Sequence, residues 1–267
     1  MPPAYDTIGD TYSETRKADS RIVDRIIQLL DLPAGARILD IGAGTGNYSF
    51  ALAERGFTVA ALEPSTVMSD QASYHSHVTW ITGSAERLSF EKSSFDAAIL
   101  ILCIHHFSDL QSALREAQRV TSGGPVLIFT YDPLAIDEPW LFEYFPVFRL
   151  QIQKAFPTIS VISACFDSEL SVQEHPFPLP HDLKDSFAGA AWRYPERYLD
   201  QEFRDGTSAF RQLDPVTAGA CLTHLAGDLK SGRWDRRYSE VRKLNVYDHG
   251  YTFLVAKGEA SDHSPGA

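Results

Sequence analysis

Three glycines at alternate positions, in Asp40-Ile41-Gly42-Ala43-Gly44-Thr45-Gly46-Asn47, form the stretch whose residue types and spacing say most about chemistry. A short apolar run (Arg37-Ile38-Leu39-Asp40-Ile41) precedes them, and a helix pattern begins at Asn47-Tyr48. Without a Cβ the backbone there takes conformations closed to other residues, so a ligand can lie against the main chain while the amides opening the helix donate to it. The spacing G-x-G-x-G is one residue tighter than the dinucleotide fingerprint G-x-G-x-x-G, and no Gly-Lys-Ser/Thr follows as a phosphate loop requires. Seventeen residues after Gly46, the strand-like Phe57-Thr58-Val59-Ala60-Ala61-Leu62 ends in Glu63-Pro64-Ser65. An acid at the tip of a second strand is placed to accept both hydroxyls of a ribose. Gly42, Ala43, Gly44, Thr45, Gly46, Glu63 and Pro64 are thus expected to hold an unphosphorylated nucleoside with a carboxylate-bearing tail, while Asp40 either orients the loop or reaches that tail's ammonium through water.

A second group carries possible acid–base chemistry. His105 and His106 follow the apolar run Ala97–Ile104, and Tyr131-Asp132 follow Val126–Thr130, so both pairs stand at strand ends on one edge. An imidazole accepts a proton near neutral pH, as a hydroxyl or ammonium substrate would require, yet the same histidines serve equally as packed, hydrogen-bonded residues. Trp192-Arg193 offer an aromatic and cationic pocket wall or simply core. His175 and His181 flank a proline-rich run and do not have metal-ligand spacing.

These residues need a scaffold, and the pattern supplies one. Asp19 or Ser20 caps a helix whose stripe is Ile22, Ile26, Leu29 and Leu30, closed by Leu32-Pro33-Ala34-Gly35. From residue 36 to about 131, strand and helix patterns alternate, which predicts an α/β fold with a mostly parallel sheet and helices on both faces. Beyond Asp132-Pro133 the alternation stops. Residues 134–240 read as an aromatic-rich, largely helical insertion over the sheet edge, and Gly250–Ala256 reads as a final strand within a terminal region 241–258. The tail 259–267 is short and polar, with the composition of a disordered end.

Composition narrows the function classes. At 267 residues with a formal charge of −11, the chain has the bulk for a full core and no electrostatic footprint for nucleic acid. Arg233, Arg236, Arg237, Arg242 and Lys243, the densest basic cluster, read as a solvated helix face. Cys103, Cys165 and Cys221 lie far apart with no C-x-x-C pair, so a reducing, cytoplasmic setting is expected. No apolar run has membrane-spanning length, so no membrane partner is expected.

The chain resembles the class I S-adenosylmethionine-dependent methyltransferases, with a core similar to the ubiquinone/menaquinone and trans-aconitate methyltransferases. The motifs run in family order over residues 36–131: the glycine loop; Glu63-Pro64-Ser65; Gly83-Ser84-Ala85-Glu86-Arg87-Leu88; Phe95–Ala98 leading into Cys103-Ile104-His105-His106-Phe107; and Glu116–Val120 with Gly123-Gly124 and Val126–Phe129. The resemblance implies a Rossmann-like, doubly wound seven-stranded sheet, and S-adenosyl-L-methionine as cofactor with S-adenosyl-L-homocysteine as product. It implies that Ser84, Ala85 and Glu86 meet the adenine, Ser84 standing where many relatives have Asp. It further implies that Leu102 and Cys103 offer carbonyls to the methionyl amine. Tyr12 and Arg16 resemble a Tyr-x-x-x-Arg element that closes over the methionyl end in several small-molecule methyltransferases.

The activity so implied is in-line methyl transfer to a small-molecule acceptor at oxygen, nitrogen or carbon, in a closed pocket, by a monomer or homodimer. His106, His105 and Tyr131 are the candidate catalytic residues, although an His-His-Phe turn is widespread in this superfamily across different acceptors. Family members methylate carboxylates, quinone ring carbons, amines and phenols. Three other readings stay open: use of the bound cofactor for a reaction other than methylation, nicotinamide-dependent oxidoreduction, and a non-catalytic binding partner that kept the fold.

Overall fold

Why the sheet forms where it does follows from strands that are apolar on both faces. β1 (Arg37–Ile41), β2 (Thr58–Leu62), β3 (Val78–Ile81), β4 (Ala97–Ile101) and β5 (Val126–Tyr131) pair in parallel, and every residue of β5 is buried. Such near-continuous apolar runs suit a sheet covered on both faces. β6 (Leu170–Pro176) and β9 (Tyr251–Gly258) complete it, and β7 (Leu179–Pro180) pairs with β8 (Val246–Tyr247) as a separate ribbon. In the computed structural model, which describes residues 16–134 and 140–258, the strand order is β3-β2-β1-β4-β5-β9-β6. Strand β9 alone runs antiparallel to its neighbours, Phe129 facing Phe253 and His175 facing Phe253 from the other side. The order turns between β1 and β4, and at such a switch point the loops diverge and leave a crevice beyond the strand ends.

Helices cover the faces. In α1 (Ser20–Leu30) the Asp19 carboxylate accepts the Arg21 N–H at 3.0 Å, and Ile22, Val23, Ile26 and Leu30 face inward at helical spacing. Helix α2 (Asn47–Glu54) starts directly from the glycine loop, α3 (Thr66–Ser69) is a single turn capped by Ser65, and α4 (Leu110–Thr121) is capped by Asp109.

Between β5 and β9 lies a second core. Helices α5 (Trp140–Tyr144), α6 (Pro146–Ala155), α7 (Ile159–Ser163), α8 (Gln201–Asp205), α9 (Ser208–Arg211), α10 (Pro215–Lys230) and α11 (Arg233–Tyr238) lie in this part of the chain. Trp140, Tyr144, Phe145, Phe148, Tyr198 and Trp234 make the centre of its aromatic cluster. The structure differs from the sequence reading in two details. Leu170–Pro176, inside the stretch read as insertion, forms the outer strand β6, and β9 is the strand next to that edge. β6 escapes a periodicity reading because an edge strand is only half covered, and Leu-Ser-Val-Gln-Glu-His-Pro carries few apolar residues. The basic cluster is tied to acids: Arg242 reaches Asp235 and Glu196, Arg237 pairs with Glu143, Arg233 with Asp228 and Lys243 with Glu240. Tyr12 and the tail 259–267 lie outside the described residues.

Candidate cofactor and acceptor site

The glycine loop leaves β1 and folds back on β2. The Gly42 and Ala43 amides both donate to the Leu62 carbonyl, at 2.9 and 3.1 Å, and the Gly46 amide donates to Ala43 O at 2.9 Å. Gly42, Gly44 and Gly46 all have positive φ, of +73°, +59° and +79°. At Gly46 a Cβ would lie 2.6 Å from the Trp80 ring and 2.9 Å from that of Phe50, so this glycine serves the packing of helix on strand. Glu63 closes the loop from the other side. Its carboxylate accepts the Gly44 N–H at 2.9 Å and the Ser65 N–H at 3.0 Å, and the residue is 7% exposed.

Above this loop, at the carboxyl ends of β1, β2 and β4, opens a cavity of ≈ 690 Å³. Of the described residues assigned above to cofactor binding, all but Asp40 and Gly46 line it. Gly46 supports from beneath. Asp40 is buried behind the loop, where it accepts the Ser49 hydroxyl at 2.6 Å; burial, with the Glu63 charge adding, pushes its carboxyl up to about 7. It does not line the cavity, and its hydrogen bond ties the end of β1 to α2.

Along one side, the Ser84 hydroxyl donates to the Glu86 carboxylate, whose other oxygen accepts the Ser108 N–H at 3.0 Å and hydroxyl at 2.9 Å. Partial burial opposes the Glu86 charge, but hydrogen bonds from Ser84, its own amide and Ser108 outweigh it and hold its carboxyl below the usual range. On the opposite side, Leu102 ends β4 with φ of +52° and donates its N–H to Phe129 O at 2.8 Å. A branched residue there is strained, and such strain concentrates at ligand sites. The Cys103 thiol donates to Ile41 O at 3.1 Å, and burial first, then Asp40 and Glu63, raise it far out of the thiolate range.

The three candidate catalytic residues fall on two sides of a wall. His106 faces the cofactor cavity, whereas His105 and Tyr131 line a second cavity of ≈ 100 Å³ beneath the cap. Arg16 and Leu102 line both. The two imidazoles lie 3.9 Å apart between centroids, and His105 stacks on Phe156 at 4.2 Å. Burial drives His105 well below the usual imidazole value, with His106 and Arg16 adding. Burial presses His106 down to about 4. Tyr131 is raised above the usual phenol, by burial and then by Tyr251 and Asp132.

Other candidates settle into structural roles. Asp132 accepts the Leu134 N–H in a turn, and Trp192 is fully buried, donating to Leu179 O at 3.0 Å while its carbonyl accepts from Trp140. His181 Nδ1 meets the Tyr194 hydroxyl at 3.2 Å, and among the described residues no His/Cys/Asp/Glu group is arranged for a metal. The residues that sequence reasoning missed are Asp185 and Tyr48. Asp185, 1% exposed, binds the Arg16 guanidinium through both oxygens and accepts the Tyr48 hydroxyl at 2.8 Å. No local motif marks an acid whose partners lie 137 and 169 residues away.

The donor set suits an unphosphorylated nucleoside with an amino-acid tail. Arg16 is the sole Lys or Arg lining the larger cavity among the described residues, and it is held by Asp185, so a pyrophosphate has no unshared cation to meet. Glu63 brings to the cavity a carboxylate, the kind of acceptor that ribose hydroxyls bind.

Residues 39–129 match a family model described as a methyltransferase domain. A solved structure of a candidate methyltransferase from an antibiotic biosynthesis pathway of Anabaena variabilis is 43% identical with TM-score 0.87, covering 91% of this chain and 99% of that one. Demethylmenaquinone methyltransferase of Corynebacterium efficiens is 33% identical over 125 residues, 45% of this chain and 54% of that protein. The chain spans about half to two thirds of the length of the curated relatives it matches. The cyclase SpnF shares the fold at 16% identity, with TM-score 0.60 and coverage of 96% and 94% of the two chains. No helix among the described residues is long and apolar enough to cross a membrane. Sequence, sheet order and cavity agree, and the chain belongs to the class I S-adenosylmethionine-dependent methyltransferases.

Proposed function

We propose that the chain transfers a methyl group from S-adenosylmethionine to a small-molecule acceptor held under the cap. The observation that carries this reading is the adjacency of the two cavities, which share Arg16 and Leu102 at the carboxyl edge of the sheet. When bound, the cofactor supplies an already activated methyl sulfonium, so no protein nucleophile is needed. The chain's own task is to align, enclose and, where the acceptor carries a proton, remove it.

Glu63 accepts the ribose hydroxyls while its bonds to Gly44 and Ser65 keep it in place. Glu86 takes over the adenine-side acceptor role that an acid at position 84 fills in relatives, since the Ser84 proton is already given to Glu86. The Leu102 carbonyl faces the methionyl end, and Arg16, steadied by Asp185, borders both methionyl and acceptor sides. His105 and Tyr131 face the acceptor, and the aromatic cap excludes water from it. The three cysteines are free, in keeping with a cytoplasmic setting.

Calorimetric titration with S-adenosylmethionine, S-adenosylhomocysteine, NAD and NADP tests the cofactor half. Binding of the two adenosyl sulfur compounds alone supports it; binding of only a nicotinamide cofactor overturns it. Transfer of labelled methyl from the cofactor to an acceptor then separates methylation from any other use of the bound cofactor.

A further inference from the structure

Six buried side-chain polar atoms lack a hydrogen-bond partner among the described residues, and four of them belong to residues of the second cavity: His105 Nδ1, Tyr131 Oη, Gln151 Oε1 and His249 Nδ1. Buried polar groups are nearly always paired, because leaving one unpaired costs free energy that folding alone does not return. Four such atoms around one small cavity are what a hydrogen-bonding ligand leaves behind. They come from four separate elements: the turn after β4, the end of β5, α6, and the segment before β9.

The rest of the lining describes the ligand. Phe142, Phe148, Phe156, Phe187, Tyr131 and Tyr251 supply aromatic walls, with Tyr131 and Tyr251 rings 5.1 Å apart and Tyr131 and Phe156 rings 5.5 Å apart. At ≈ 100 Å³ the cavity is smaller than the roughly 150 Å³ apolar cavities that take benzene, so it has room for no more than a single ring. Among the described residues Arg16 is the single Lys, Arg, Asp or Glu in the lining, and its guanidinium is neutralised by the two-point pair with Asp185. His249 is pushed down to about 4 by burial and His105 lies well below the usual value, so both imidazoles are neutral at physiological pH. Among the described lining residues only the Asp185-paired Arg16 carries a charge, so a carboxylate or an ammonium would be buried with little compensation, which is costly. By contrast, neutral imidazole nitrogens, a phenol and an amide oxygen match hydroxyl groups in number and type.

We propose that this cavity is the acceptor site and that it receives the uncharged, hydroxylated aromatic ring of the acceptor. The proposal rests on the methyltransferase reading for the word acceptor, but the cavity's preference for a neutral hydroxylated ring is testable without it. The full chain is titrated with resorcinol, toluene, benzoate and benzylamine, each with and without S-adenosylhomocysteine, by ligand-observed NMR and calorimetry. Resorcinol is expected to bind more tightly than the two charged rings and than toluene. Tyr131→Phe, which keeps the ring and removes the hydroxyl, is expected to weaken resorcinol by roughly 5- to 10-fold while leaving toluene and S-adenosylhomocysteine unchanged. Ala188→Phe, which fills the cavity, is expected to abolish resorcinol binding, with S-adenosylhomocysteine binding as its control for folding. Benzoate or benzylamine binding better than resorcinol overturns the proposal, as does resorcinol affinity indifferent to Tyr131→Phe. Failure to bind S-adenosylhomocysteine counts against the cofactor reading alone, because the resorcinol comparison is read in its absence as well.

Discussion

The carboxylate of Glu63 accepts the main-chain N–H of Gly44 at 2.9 Å, so a side chain at the end of β2 fixes the middle of the loop that leaves β1. Its second oxygen takes the Ser65 N–H at 3.0 Å. A charge buried to this degree would be unstable alone, and the two amides make it tolerable.

Replacing Glu63 by Ala removes both the ribose acceptor and the loop tether. S-adenosylhomocysteine affinity is expected to fall by about 1.5–3 kcal/mol, the range for hydrogen bonds to a charged group. Calorimetry on the folded variant checks it, and unchanged affinity would remove Glu63 from the ribose.

The glycine loop and the acid at the tip of the next strand were legible in the sequence because each is read from local spacing, whereas the hydrogen bond between them was not. The parallel core was legible for the same reason, since strands buried on both faces leave uninterrupted apolar runs such as Ala97–Ile104. β6 was not, because its exposed face breaks the pattern. Nor was the division between His105 and His106: adjacent residues in a tight turn point to different sides, and only the path of α6 and Phe156 decides which side is which. The second cavity draws on Tyr131, Gln151 and His249, residues that no spacing rule connects.

Two of the loop glycines should fail in different ways. A Cβ at Gly46 meets the Trp80 ring at 2.6 Å, whereas one at Gly44 meets only the Met68 methyl at 3.4 Å. Gly46→Ala is expected to lower stability by about 2–4 kcal/mol, combining left-handed strain and overpacking. Gly44→Ala carries only the strain, about 1–2 kcal/mol, and should chiefly weaken cofactor binding. Urea unfolding beside S-adenosylhomocysteine titration separates them, and equal stability losses would contradict the assignment.

Asp40 gives a pH dependence with a definite sign. Its carboxyl is raised from 3.8 to about 7 in the folded chain, chiefly by burial, despite the Ser49 hydroxyl and with Glu63 adding to the rise. Between those values the folded state holds more protons than the unfolded state, so this group's contribution to stability falls as pH rises through that window and is level above it. Asp40→Asn keeps an oxygen for Ser49 and cannot ionise. Its stability relative to the parent is expected to improve steadily from pH 4.5 to 8, by up to a few kcal/mol at about 1.4 kcal/mol per pKa unit. Parallel urea-unfolding profiles across that range would show that Asp40 does not titrate there.

The last prediction concerns the acid that closes the site from the cap side. Asp185 is 1% exposed and binds Arg16 through both oxygens, with the Tyr48 hydroxyl as a third partner. Arg16 borders both cavities, so this pair fixes a residue that the two share. Asp185→Asn keeps the shape but leaves a nearly buried guanidinium without its counter-charge, and about 3 kcal/mol of stability is expected to go with it. Arg16→Met in the Asp185→Asn background removes the stranded charge and should recover part of that loss, giving a coupling of about 1–3 kcal/mol in a double-mutant cycle. The same variants should bind S-adenosylhomocysteine more weakly, because an undocked Arg16 no longer borders the methionyl side. Additive stability effects across the cycle would mean that Asp185 acts through Tyr48 alone, and that Arg16 is placed by other contacts.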